Sequence, residues 1–302
     1  KEIKNIFKKI LKDSITLESL GDIGRGVGVY HKRVGHTKDF IAKDPYQSKE
    51  KKDDTFLPYL RGRNVQSGYI NWNNDSFISY GNWLAEPREP KFFTGERIVL
   101  RQIPSQRLIV SYLKEKFVID QSVFIARFYE DSNYNPKSIA SILGSKLLSF
   151  YFRYYYSEFD DLFPKVKLQH FKLFPISKNL ANSKTELENN SECFLYLNKE
   201  LLDISQKFQR TLQREFIQLD NLSKKLENWY ELSYAEFLKE LKKKKIELSL
   251  SQKAEWEDYF LTEQKKALDI QNQITSTDKE IDAMVYELYG LSDDEIEIVE
   301  NS

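Results

Sequence analysis

Apolar residues recur at steps of three and four through Phe194, Leu197, Leu201, Ile204, Phe208, Leu212, Phe216 and Leu219. They do so again through Trp256, Phe260, Ala267, Ile270, Ile274, Ile281, Met284 and Leu288 once two polar steps are allowed, between Phe260 and Ala267 and between Ile274 and Ile281. This is the spacing of a helix face buried against a partner, and two such stripes predict a long antiparallel coiled-coil arm. Between them Ser233 and Glu236 are spaced as a capping box before a short helix, and KKKK at 242–245 reads as an exposed run. Gly290 ends the second stripe, and Ser292 with Glu295 opens a short acidic terminal helix.

The first half of the chain has a different period. From Phe56 to Phe128 short runs rich in Val, Ile, Phe and Tyr alternate with Gly, Pro, Asn and Ser turns, which predicts hairpins or a meander. One continuous helix is expected over 137–156, capped by Asn135 and Pro136, with Gly144 allowing close approach of a backbone or phosphate. A basic strand follows from Pro164 to Pro175, after a loop holding Asp160 and Asp161. The fold class is therefore α+β, with a linker helix at 1–14, a mainly β domain with packed helices at 15–180 and a helical domain at 181–302.

Composition fits this division. Of 302 residues 40% are hydrophobic and 14% aromatic, enough for two cores. Net charge is zero, but residues 1–176 hold 29 Lys and Arg against 20 Asp and Glu, so the first part is near +9 and the rest near −9. That asymmetry is an electrostatic footprint on the N-terminal part. Cys193 is alone, so no internal disulfide forms, and no run of ~18 apolar residues or export signal is present. A soluble, cytoplasmic chain is expected. Met284 is the sole methionine and Lys1 comes first, so the sequence reads as a piece of a longer polypeptide.

No catalytic set emerges: there is no nucleophile elbow, Cys/His pair or Cys-x-x-Cys cluster. Gly24, Gly26 and Gly28 make a flexible turn with only part of a phosphate-loop pattern. Asp44, Glu50 and Lys52 form only a strained version of a metal-dependent nuclease set, in a charged loop that offers no fixed strand positions.

The order of motifs is more informative. Leu60-Arg-Gly-Arg-Asn-Val with Tyr69 is followed by Pro90-Lys, Arg97-Ile-Val-Leu-Arg-Gln-Ile and Asp120-Gln-Ser. Then come Asn135-Pro-Lys, Ile142-Leu-Gly-Ser-Lys-Leu-Leu, Phe163-Pro-Lys-Val, Leu173-Phe-Pro-Ile and a tail from Ile281 to Glu300. This series resembles the target-recognition (specificity) domain of Taq-type adenine DNA methyltransferases and of type II enzymes that fuse methylation with restriction. The resemblance implies sequence-specific double-stranded DNA binding, with the methyltransferase, its S-adenosylmethionine and any endonuclease located elsewhere and no cofactor in this chain. A homodimer through the helical arm is a further expected partner arrangement, and no membrane is implied.

Major-groove reading needs paired hydrogen-bonding side chains, for which Arg25, Arg61, Arg63, Asn64, Arg88, Arg101, Gln102 and Arg107 are candidates. Lys137, Lys146, Arg153, Lys165 and Lys167 are candidates for phosphates, and Trp72 and Trp83 for stacking. The alternative is a coiled-coil scaffold whose aromatic β domain binds protein.

Overall fold

Each run between Phe56 and Phe128 contributes strand in the computed structural model, which describes residues 2–156, 165–181 and 184–302. By its internal contacts the chain divides into Lys1–Glu192 with Glu280–Ser302, and Cys193–Lys279.

The first unit begins with α1 (Glu2–Leu11), β1 (Ser14–Thr16), β2 (Gly21–Arg25), α2 (Lys38–Lys43) and β3 (Gln47–Ser48). Next come β4 (Phe56–Leu60), β5 (Val65–Gln66), β6 (Tyr69–Ile70), β7 (Phe77–Ser79) and β8 (Arg97–Arg101). β9 (Val110–Leu113), β10 (Val118–Ile119) and β11 (Val123–Phe128) complete the two four-stranded sheets. α3 (Pro136–Gly144), α4 (Lys146–Tyr155), α5 (Leu168–Lys172) and β12 (Pro175–Ser177) follow, before α6 (Lys184–Glu215).

These strands do not form a simple meander. One four-stranded sheet has the order β10-β4-β7-β3 and contains a parallel pair, Val118 opposite Tyr59 and Ile119 opposite Leu60. The other four-stranded sheet, β2-β11-β8-β9, is antiparallel and places β2 beside β11, with Phe124 opposite Arg25, while β1 with β12 and β5 with β6 form two-stranded pairs. Alternation along β11 separates two layers. Val123 and Ile125 enter a core shared with Tyr59, Leu60, Ile78, Val99 and Ile119. Phe124 stacks on Phe171 of α5 at 5.9 Å, on the helical side.

The helix expected over 137–156 is broken. Ser145 is extended (φ −65°, ψ 161°), and its hydroxyl caps α4 by accepting from the Leu148 amide. Gly144, which ends α3, faces only Val110, 3.9 Å from an added Cβ, so it provides no close backbone approach. The expected strand of 164–175 is instead α5 and its flanks, with the Lys167 amide donating to His170 Nδ1 at 3.4 Å. Pro164, Asp160 and Asp161 lie outside the described residues. Nor is α1 a free linker: Ile6 and Ile10 are fully buried, and Phe7 packs edge-on to Tyr151 and Tyr155.

The C-terminal elements of this unit are fastened by charge. α9 (Leu250–Leu288) ends within it at Gly290 (φ 67°), followed by α10 (Asp293–Glu300) with the expected capping box. Lys9 pairs with Glu295 at 2.6 Å, and Lys146 with Glu300. Part of the opposite charge of the two halves is therefore neutralised inside the fold.

In the second unit α6 and α9 run antiparallel, since Phe208 meets Tyr259 at 5.5 Å and Phe216 meets Trp256 at 5.4 Å. They are joined by α7 (Lys224–Glu227) and α8 (Tyr234–Lys243), which complete a small bundle. Trp229 is fully buried and stacks on Phe208 at 3.7 Å, an arrangement worth about 1 kcal/mol beyond burial. The Ser233–Glu236 capping box is present, and Lys242–Lys245 are exposed as expected.

Candidate nucleic-acid interface

Both four-stranded sheets end at one turn, Asp120-Gln121-Ser122. The Asp120 amide donates to Leu60 O (2.8 Å) and the Gln121 amide to Val27 O (3.1 Å). Ser122 Oγ accepts from the Gly62 amide (3.1 Å), and Ser122 O accepts from the Gln102 amide (3.0 Å). Tyr59, fully buried, donates to Asp120 Oδ2 at 2.9 Å, while Asp120 Oδ1 accepts from the Ser122 amide at 2.8 Å. Burial first, then the Asp120 charge, drives the Tyr59 hydroxyl far above its usual range, so it stays a donor.

Four arginines leave the backbone where strands meet this turn. Arg25 ends β2, Arg61 and Arg63 follow β4, and Arg101 ends β8. Arg88 joins them by donating from Nε to Gly26 O at 3.4 Å. Its left-handed backbone (φ 60°) costs about 1 kcal/mol for a residue with Cβ, and Tyr80 helps fix it by donating to Arg88 O at 2.9 Å. Glu86 sits between Arg25, 3.1 Å away, and Arg88; the Arg25 hydrogen bond and then the Arg88 charge hold its carboxyl below the usual range. Arg61 lies over the Tyr59 ring and donates to Gln47 Oε1. Arg63 is exposed; its carbonyl accepts from Gln66 Nε2 at 2.8 Å, and its guanidinium has no partner among the described residues. Burial lowers the affinity of Arg101 for its proton. Guanidiniums held by neighbours in this way are preorganised forks for guanine or phosphate oxygens.

Two other base-reading candidates are turned inward. Asn64 Oδ1 accepts from the Arg61 amide (3.0 Å), and its Nδ2 donates to Asn71 O (2.8 Å), so its amide holds the turn. Gln102 is buried and donates to Gln121 O at 2.6 Å. Arg107 lies apart, bound to Asp282 at 2.7 Å. Among the phosphate candidates, Lys137 pairs with Glu192 at 2.7 Å, Lys146 with Glu300, and Arg153 donates to Gln106 O at 2.8 Å. Lys165 and Lys167 are exposed in the segment before α5. Trp72 packs into the core against Phe117 at 5.1 Å, whereas Trp83, 42% exposed, lies over Gly81 and donates to Ser79 O. Two residues missed in the sequence stand here: Gln121, exposed at the tip of the turn, and Gln47, which orients Arg61. The Asp120-Gln-Ser motif was the signal for the first; no local signal marked the second.

The glycine run is not a phosphate loop. A Cβ on Gly26 would lie 2.0 Å from Ile119 O and 2.2 Å from Asp120 O, while Gly24 faces Phe92 and Gly28 faces Glu86. These residues are small so that β2 can cross the turn closely. Asp44 accepts from Tyr30 and Gln47, and among the described residues no three His, Cys, Asp or Glu side chains group as metal ligands. No described helix is long and apolar enough to cross a membrane.

No curated protein matches the chain. A type I restriction-modification S subunit from M. genitalium aligns at 16% identity and a TM-score of 0.35, over 74% of this chain and 49% of the S subunit. The type IIG restriction endonuclease BpuSI aligns at 12% identity and a TM-score of 0.40, over 96% of this chain and 33% of the enzyme. This chain thus spans about half of one relative and a third of the other. Residues 180–285 match a domain of unknown function, DUF8810. The resemblance read from the order of motifs is borne out in the β-rich half, where residues 57–176 match the TaqI-like C-terminal specificity domain.

Proposed function

We propose that this chain reads the sequence of duplex DNA in a restriction-modification system and positions the site for an adenine methyltransferase carried elsewhere. One observation carries the reading. Within and beside the matched specificity segment, Arg25, Arg61, Arg63 and Arg101 lie on or next to strands that meet at a single turn pinned by both four-stranded sheets, and Arg88 is tied to Gly26 beside it. Arginine is the side chain that reads guanine O6 and N7 as a pair, and a rigid support is what discriminates one base from another. S-adenosylmethionine belongs, on this reading, to the methyltransferase. The test is selection of bound duplexes from a randomised pool, followed by sequencing. Enrichment of a short motif supports recognition; binding without enrichment refutes it.

A scaffold reading is favoured by a different observation. Leu261 and Leu268, one heptad apart on α9, are 47% and 39% exposed, as a self-associating helix would require. Sedimentation of the chain and of Leu261→Lys would decide it: on this reading the wild type is dimeric and the variant monomeric.

A further inference from the structure

Residues 30–52 form a lobe between β2 and β4, outside the segment that matches the specificity domain. The lobe holds seven Lys and Arg against three Asp and Glu. Lys32, Arg33, Lys38, Lys43 and Lys49 are all exposed, and none has an acidic partner among the described residues. This contrasts with Lys9, Arg107, Lys137 and Lys146, each paired with a carboxylate.

The lobe is also stiff. Tyr30 stacks on Tyr46 at 5.4 Å, and His36 and Phe40 close the ring cluster around them. Thr37 caps α2, and Asp44 ends it in a left-handed conformation (φ 47°). β3 anchors the lobe to β7, with the Ser79 amide donating to Tyr46 O at 2.8 Å. A chain of side chains then joins it to the candidate interface. Tyr30 donates to Asp44 Oδ1 (2.8 Å), Gln47 Nε2 donates to the same oxygen (2.6 Å), and Gln47 Oε1 accepts from Arg61.

We propose that this lobe is a second contact to duplex DNA, in which Lys32, Arg33, Lys38, Lys43 and Lys49 hold the sugar-phosphate backbone beside the base pairs that Arg61 reads. The inference rests on the DNA-recognition reading and adds to it a site, its residues and its ligand chemistry. Four of the five cations are lysines, compact charges on flexible stems that suit phosphate and not the planar paired edge of a base. Their fixed platform is continuous with Arg61, so backbone binding here sets the register in which that arginine meets the groove. Unpaired cations on a rigid support release counterions when phosphates replace them, which makes the contact readable as salt dependence.

The experiment measures duplex affinity of the full chain by fluorescence anisotropy from about 50 to 300 mM salt. It compares wild type, the triple variant Lys38→Ala/Lys43→Ala/Lys49→Ala, and the triple Lys→Arg variant at the same positions. Each lost phosphate contact flattens the plot of log affinity against log salt by about 0.9. The alanine variant is therefore expected to lose about two to three from the slope, to bind at least tenfold more weakly near 0.1 M salt and to select the same motif. The arginine variant should keep the wild-type slope, which separates charge from folding. An unchanged slope and affinity in the alanine variant, with the wild type still selecting a motif, overturns the lobe contact and leaves recognition intact. A flattened slope in a chain that selects no motif supports the lobe and refutes recognition. No binding of any duplex by the wild type refutes both.

Discussion

Removing the carboxylate of Asp120 should loosen the candidate interface by an amount that its partners fix. Asp120→Ala takes the acceptor from Tyr59, whose hydroxyl is fully buried, and from the Ser122 amide. An orphaned buried hydroxyl costs about 1–3 kcal/mol and the lost amide bond about 1 kcal/mol more, for a total of about 2–4 kcal/mol. Tyr59→Phe alone removes the donor and leaves no orphan hydroxyl, so its cost should be about 1 kcal/mol. Because the orphan vanishes when both changes are combined, the double variant should cost less than the sum by about 1–2 kcal/mol. Native-state hydrogen exchange at the β11 amides is the appropriate assay, since it reports on the first unit and is blind to the second. Additive costs, or Asp120→Ala costing under about 0.5 kcal/mol, would refute the claim that this hydrogen bond supports the turn.

Gly26→Ala and Gly144→Ala should differ in sign. The first drives a Cβ to 2.0 Å from Ile119 O and should cost more than the usual 1–3 kcal/mol of overpacking, while the second meets only Val110 and should gain about 0.5 kcal/mol; thermal melts distinguish them. Asp282→Ala should destabilise the first unit by about 3 kcal/mol, again by hydrogen exchange. Its side chain is 4% exposed, binds Arg107 at 2.7 Å and accepts from the first amide of α4, that of Lys146, at 2.9 Å. The carboxyl of Glu240 is held below its ordinary value of 4.5 by hydrogen bonds from Lys243 and then Ser223. Its folded state binds protons less readily than the unfolded one, so this stabilisation is fully present above pH 4.5 and is lost as pH falls through the depressed value. Glu240→Gln should therefore make the acid loss of α8 helicity less steep, which circular dichroism across that range would show.

Local signals in the sequence located an end of each of four helices, α3, α8, α9 and α10. Asn135 with Pro136, Ser233 with Glu236, Ser292 with Glu295 and Gly290 act within a few residues of themselves, and the structure uses all of them. Ser145 escaped notice because Ile142 to Phe152 keeps an unbroken apolar period across a residue that starts a second helix. The strand misread at 164–175 has the same cause, for Val166 to Phe174 alternates well enough for either period. In the candidate interface, the placement of Arg61 and Arg63 on either side of Gly62 in a turn was legible from the chain itself. The engagements of Asn64, Gln102 and Arg107 were not, since the groups that hold them, Asn71 O, Gln121 O and Asp282, are chosen by tertiary folding. Net charge was similarly incomplete. It marked the N-terminal half as basic, but Lys137 and Lys146 are committed to Glu192 and Glu300 inside the same unit.

The most direct measurement compares the duplex motifs selected from a random pool by the wild type, Arg61→Ala and Arg63→Ala. If these arginines read bases, the wild type enriches a short motif and each variant keeps it with one position made degenerate, at a cost of about 1–3 kcal/mol in discrimination there. The same motif with unchanged information at every position in all three proteins would contradict that claim.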